Sequence, residues 1–174
     1  MTDEKIQLVD ARQAFIGDPE IEVRSSAPTW VHLLITPSLG LREKFSSYIR
    51  ASMADLPVKI CDEMSMAVDE LLSNSIEHGC REDKSCRIDF KFIRTAGMLM
   101  FQIKDSGEGF SVDNIHHAAV NNPPEEPLRH NQLRSDLGMR PGGFGILLVK
   151  KIADELIYNE RGNEVILVKY LAGV

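Results

Sequence analysis

Two extended runs, RIDFKFI at 87–93 and MLMFQIK at 98–104, are separated only by the glycine-containing stretch RTAG. A connection that short can reverse the chain but cannot carry a crossover helix, so the runs form an antiparallel hairpin. A doubly wound parallel sheet is thereby excluded. Other segments join the hairpin. TWVHLLI at 29–35 is β-branched and apolar with Pro37 just beyond, which predicts a core strand. Segments 154–158 and 164–171 predict a final hairpin turning at Arg161, Gly162 and Asn163.

Between the strands the period changes. Leu41, Phe45, Ile49 and Met53 recur every four residues, predicting a helix that ends before Pro57. A second helix starts near Pro57 and runs to Gly79, a natural stop, and a third follows the glycines at 142–145. The order is strand, two helices, two strands, an irregular stretch, helix and two strands. That order suits an α+β two-layer sandwich: a mixed, mainly antiparallel sheet with helices on one face. Residues 1–28 have no sustained period and read as an N-terminal extension with a short strand near 21–23, leaving 29–174 as the domain. Within it, about 111–142 holds Pro123, Pro124, Pro127 and Pro141 with little periodicity, as expected of a functional lid or a disordered segment.

Composition narrows the partners. With 20 basic against 26 acidic residues the net charge is −6 and the basic residues are scattered, which argues against nucleic acid as a direct partner. No apolar run approaches the roughly 20 residues of a membrane span, and MTDEKIQLVD has no signal-peptide layout, so a cytoplasmic protein is expected. Cys61, Cys80 and Cys86 are odd in number and unpatterned, which predicts reduced thiols rather than a disulfide framework. A zinc site of His78, Cys80 and Cys86 would lack a fourth ligand. His116, His117 and His130 are expected to be solvated loop residues.

Three motifs carry chemistry. On the helix after Pro57, a 100° projection puts Met64, Ala67, Val68, Leu71 and Leu72 in one apolar sector and Asp62, Ser73 and Glu77 opposite. Glu70 and Asn74 fall on the border, where a polar group can face a cleft from an anchored helix. His78 projects into the apolar sector, which favours a structural role at the helix end. The second motif, DSGEGF at 105–110, offers a carboxylate that can accept a hydrogen bond from an exocyclic amine and glycines that admit a ligand to the backbone. In the third, RPGGFGILLVKKIADEL at 140–156, Gly142, Gly143 and Gly145 precede a helix whose first-turn amides and positive dipole end suit phosphates. Its spacing matches neither GxGxxG nor GxxxxGK[ST].

In this order and separation, ELLSNSIEHG, DSGEGF and RPGGFGILLVKKIADEL resemble the N, G1 and G2 boxes of the GHKL (histidine kinase-like) ATPase superfamily. The compact chain and the HG closing the first box are most similar to the anti-sigma-factor serine/threonine kinases of bacterial partner-switching systems. The resemblance, over about 29–171, implies a Bergerat-type ATP-binding fold with an ATP lid and the cofactors ATP and Mg2+. It implies Glu70 as general base, Asn74 as Mg2+ ligand, Asp105 as acceptor of the adenine amine, and Gly107 and Gly109 as the base pocket. Gly143, Phe144 and Gly145 match the lid hinge beside the triphosphate. Arg140 matches a γ-phosphate arginine but stands one place further from GFG than in some relatives, and Asn163 stands where many carry threonine. The implied partners are a STAS-domain anti-anti-sigma protein and a sigma factor, and family members often form a homodimer through the sheet. The competing function is a nucleotide-dependent switch that captures a partner without phosphotransfer.

Overall fold

A computed structural model of the chain describes residues 6–109, 121–136 and 144–171. Strands β1 (Ile21–Ala27), β2 (Trp30–Ile35), β3 (Ile88–Arg94), β4 (Met98–Lys104), β5 (Glu155–Tyr158) and β6 (Glu164–Tyr170) form one sheet in the order β1-β2-β3-β4-β6-β5. Every neighbouring pair in it is antiparallel. Alternation decides which side packs. Val31, Leu33 and Ile35 of β2 are buried while His32 and Leu34 between them are only half-buried, and β3 and β4 repeat this period of two.

The helices cover the buried face. Helix α2 (Arg42–Ala51) follows a single 3-10 turn (Leu39–Leu41), and α3 (Val58–Asn74) starts directly after Pro57. Phe45 of α2 meets Phe90 of β3 edge-on at 4.7 Å, and Phe92 stacks on Phe101 at 4.2 Å between ring centroids. On α3 the apolar sector is buried as its period required. Ser73, expected on the solvent side, is buried too: its hydroxyl donates to the Asp69 carbonyl of its own helix, which removes the cost of enclosing it.

The helix does not stop at Asn74. It passes into a π-helical turn, Ser75–Gly79, closed by the Cys80 amide donating to the Ser75 carbonyl at 2.7 Å. A π turn advances each residue by less than 100°, so a projection made at α-helical pitch loses its phase there. His78 is accordingly exposed, not in the apolar sector.

Ahead of β2, Asp10 caps the short α1 (Ala11–Ala14), and Leu8, Ala11 and Phe15 are buried in the same core as the sheet. The predicted short strand near 21–23 extends to Ala27 and pairs with β2 across a register shift between Val23 and Ser25. The lid stretch contains regular structure, α4 (Arg129–Asp136), which its scattered polar sequence did not announce. His130 on α4 is fully buried, against expectation. The Asn122 side chain accepts from the His130 amide and meets its Nδ1, and the imidazole packs edge-on against Phe144 at 4.4 Å. Helix α5 (Gly145–Ile152) then packs on α3. It ends at Ile152, so the ADEL that continues the motif is the entry to β5.

An ion pair between a buried arginine and an exposed aspartate fixes the far end of the hairpin. Arg94 is 2% exposed. It donates to the Ser52 carbonyl at 2.8 Å and to both Asp55 carboxylate oxygens at 2.7 and 2.5 Å. Asp55→Ala leaves the enclosed guanidinium with the carbonyl but no counter-charge, an expected loss of roughly 2 kcal/mol, read as a lower urea midpoint.

Candidate functional site

The C-terminal end of α3, the loop after β4 and the β5–β6 hairpin enclose a cavity of about 280 Å3. Asn74, Ser75, His78 and Gly79 form one wall, 105–109 a second, and Tyr158, Gly162 and Val165 the third. Of the residues expected from sequence, Asn74, Asp105, Gly107 and Gly109 line this space together. Glu70 lies one helical turn earlier on α3, where its carboxylate faces Gly145, the first residue of α5. Phe144 is exposed at the start of α5 and touches His130. Gly143 and Arg140, with Gly142, lie outside the described residues.

Asp105 is held from several sides. Its Oδ1 accepts from the Gly107 amide at 2.9 Å, and its own amide donates to the Asn163 carbonyl at 3.0 Å. The Asn163 side chain donates back to the Asp105 carbonyl at 2.7 Å and accepts from the Asn159 amide group. Asn163 is therefore a support behind Asp105, a role that the comparison with threonine at this position did not bring out.

The glycines are required for space more than for unusual backbone angles. A methyl group on Gly79 would overlap the Asp105 carboxylate, and one on Gly107 would overlap the Gly79 carbonyl. Gly79 thus does more than end a helix: it lets α3 and the loop after β4 touch. Gly109 alone of the expected site glycines among the described residues has a positive φ, 77°, and it also abuts the Arg161 carbonyl. Gly145, expected to supply conformational freedom, is helical, and any side chain there would collide with the Glu70 carboxylate.

Burial pushes the Asp105 carboxyl above its ordinary range, partly opposed by the Gly107 amide, Ser75 and Arg161. Burial also raises Glu70, against the attraction of Arg42, with Asp69 and Glu77 adding to the rise. Tyr158 is pushed up to about 12, first by burial and then by the Glu70 charge. These residues share one partly desolvated region. Because folded Glu70 holds its proton above the ordinary 4.5, the folded state binds more protons between 4.5 and the raised value, and stability falls as pH rises through that window. Glu70→Gln is expected to raise Tm at pH 7, with the gain closing as pH falls towards 4.5.

The cysteines depart from expectation. Cys80 and Cys86 are joined as a disulfide with their Cα atoms 5.7 Å apart, and Cys61 is free. The loop between them folds tightly, through the Glu82 amide on the Ile76 carbonyl and the Asp83 amide on the Cys80 carbonyl, and brings two cysteines of unremarkable spacing together. Sequence reasoning also passed over Tyr158 and Ser75. Tyr158, at the end of a predicted strand, carried no signal, whereas Ser75 could have been found from its position next to Asn74.

A family model described as "Histidine kinase-like ATPase domain" matches residues 39–169, most of the chain and all three motifs. The chain belongs to this family. Among its relatives, a "Serine-protein kinase RsbW" of Oceanobacillus iheyensis is 28% identical over 112 residues, covering 64% of this chain and 66% of the relative. The protein of the same name from Bacillus subtilis is 26% identical over 113 residues, with the same coverage. That of Listeria monocytogenes is 22% identical over 149 residues, covering 81% of this chain and 89% of the relative. The chain thus aligns with about two thirds of the first two relatives' length. No helix among the described residues is long and apolar enough to cross a membrane.

Proposed function

We propose that this histidine kinase-like domain is an ATP- and Mg2+-dependent serine/threonine kinase and anti-sigma factor that acts in the cytoplasm. It phosphorylates a small STAS-domain anti-anti-sigma antagonist and, when unphosphorylated antagonist is scarce, sequesters a sigma factor and so regulates transcription. The observation that carries this reading is the meeting of Asn74, Asp105, Gly107 and Gly109 around one cavity, with Glu70 a turn away on the same helix.

The residues fit the nucleotide by size and chemistry. Gly79 and Gly107 let α3 and the loop after β4 close against each other beside the cavity, and Asp105, which lines it, offers an acceptor suited to an exocyclic amine. Asn74 makes no capping bond to the π turn, which leaves its amide oxygen for a hard cation. When bound, ATP would supply the phosphoryl group that is transferred and Mg2+ would neutralise charge on the phosphates. Glu70 takes the proton of the acceptor serine, a task that its raised pKa favours near neutral pH. Gly143, Phe144, Gly145 and Arg140 serve the phosphate side.

The test is transfer of labelled phosphate from ATP to a serine of a STAS-domain protein from the same organism. Transfer is expected. A chain that binds ATP and captures the partner but never phosphorylates it would instead be a nucleotide-dependent switch module.

A further inference from the structure

The disulfide stands on the wall of the cavity. Cys80 lines it directly and is buried, while Cys86, two residues before β3, is the more exposed of the two. Ser106, next to Asp105, donates its hydroxyl to Cys86 Sγ at 2.9 Å, because a bonded sulfur has no proton to give. The same loop holds Arg81 and Glu82 at φ of 51° and 57°, a left-handed pair that non-glycine residues resist. A covalent closure from Cys80 to Cys86 opposes its relaxation, and Gly79, against which Asp105 packs, immediately precedes Cys80.

We propose that Cys80 and Cys86 form a thiol-disulfide switch that sets the affinity of the cavity for adenine nucleotide, an inference that rests on the nucleotide reading above. In a reducing compartment the pair stays as two thiols until a glutathione-type disulfide arrives. The Cys86 thiolate attacks that disulfide and releases one low-molecular-weight thiol. The Cys80 thiolate then displaces the second, so the protein loses two protons and two electrons and the oxidant leaves as two thiols. Closure fixes Gly79, Ser106 and hence Asp105 in the arrangement that receives the base. Opening lets the 80–86 loop relax and the wall move, so part of the binding energy goes into re-forming it.

The full chain, equilibrated in buffers of reduced or oxidised glutathione, is alkylated to count thiols and titrated with ADP carrying a ribose fluorophore. Wild type is expected to expose three thiols when reduced and only that of Cys61 when oxidised. The oxidised form is expected to bind ADP at least about threefold more tightly. Cys86→Ser should bind like reduced wild type in both buffers, and Cys61→Ser should respond as wild type does. Three reactive thiols throughout, or an oxidised form that binds no more tightly than the reduced one, overturns the switch alone. Failure of both forms to bind ADP overturns the nucleotide reading and the switch with it.

Discussion

Glu70→Gln is expected to keep ADP and ATP affinity within about twofold of wild type while lowering phosphate transfer by about 100-fold or more, the range of a general base. The separation follows from position. Glu70 is outside the cavity lining, a turn before Asn74, so the base pocket and its Asp105 acceptor are untouched by an isosteric amide. What the amide cannot do is accept a proton. Because the same substitution removes a half-buried charge that costs stability at neutral pH, the variant should be folded and no less heat-resistant while inactive. In wild type the acidic limb of kcat/KM should fall above the ordinary glutamate range, since Glu70 must first lose its proton. Loss of nucleotide affinity together with activity would instead make Glu70 a binding residue.

Asp105→Asn is the second large effect. Oδ1 accepts from the Gly107 amide, so an asparagine keeps its oxygen there and turns its NH2 towards the cavity. A donor then faces the donor amine of adenine. The loss of a hydrogen bond to a charged group corresponds to roughly a 10- to 100-fold weaker ATP affinity. GTP, which presents a carbonyl at the same ring position, should lose less or gain. A parallel loss for both nucleotides would point to general damage to the loop, and unchanged ATP affinity would remove Asp105 from the pocket.

Periodicity read the strands of the sheet and the burial of Met64, Ala67, Val68, Leu71 and Leu72 directly, because burial on one face leaves a repeat. It failed where geometry leaves that repeat. The π turn at Ser75–Gly79 moved His78 outwards, a shift that no α-helical projection contains. His130 was misread because its burial depends on Asn122 and on Phe144, fourteen residues away in sequence, not on neighbours with an apolar pattern. The residue types at the site were legible as motifs. Their reasons were not: Gly79, Gly107 and Gly145 are glycines because Asp105, a carbonyl and Glu70 occupy the space of a side chain, which only the folded chain displays. Cys80 and Cys86 were missed for a similar reason, since their spacing says nothing about a loop folded tightly enough to join them.

The central claim is that one nucleotide spans from Asp105 to Glu70. A crystal structure of the full chain with a non-hydrolysable ATP analogue and Mg2+ tests it most directly. The account predicts the adenine amine on the Asp105 carboxylate, the metal on the Asn74 amide oxygen and the terminal phosphate on the Glu70 side of Asn74. A nucleotide bound elsewhere, or seated with its base away from Asp105, would contradict it.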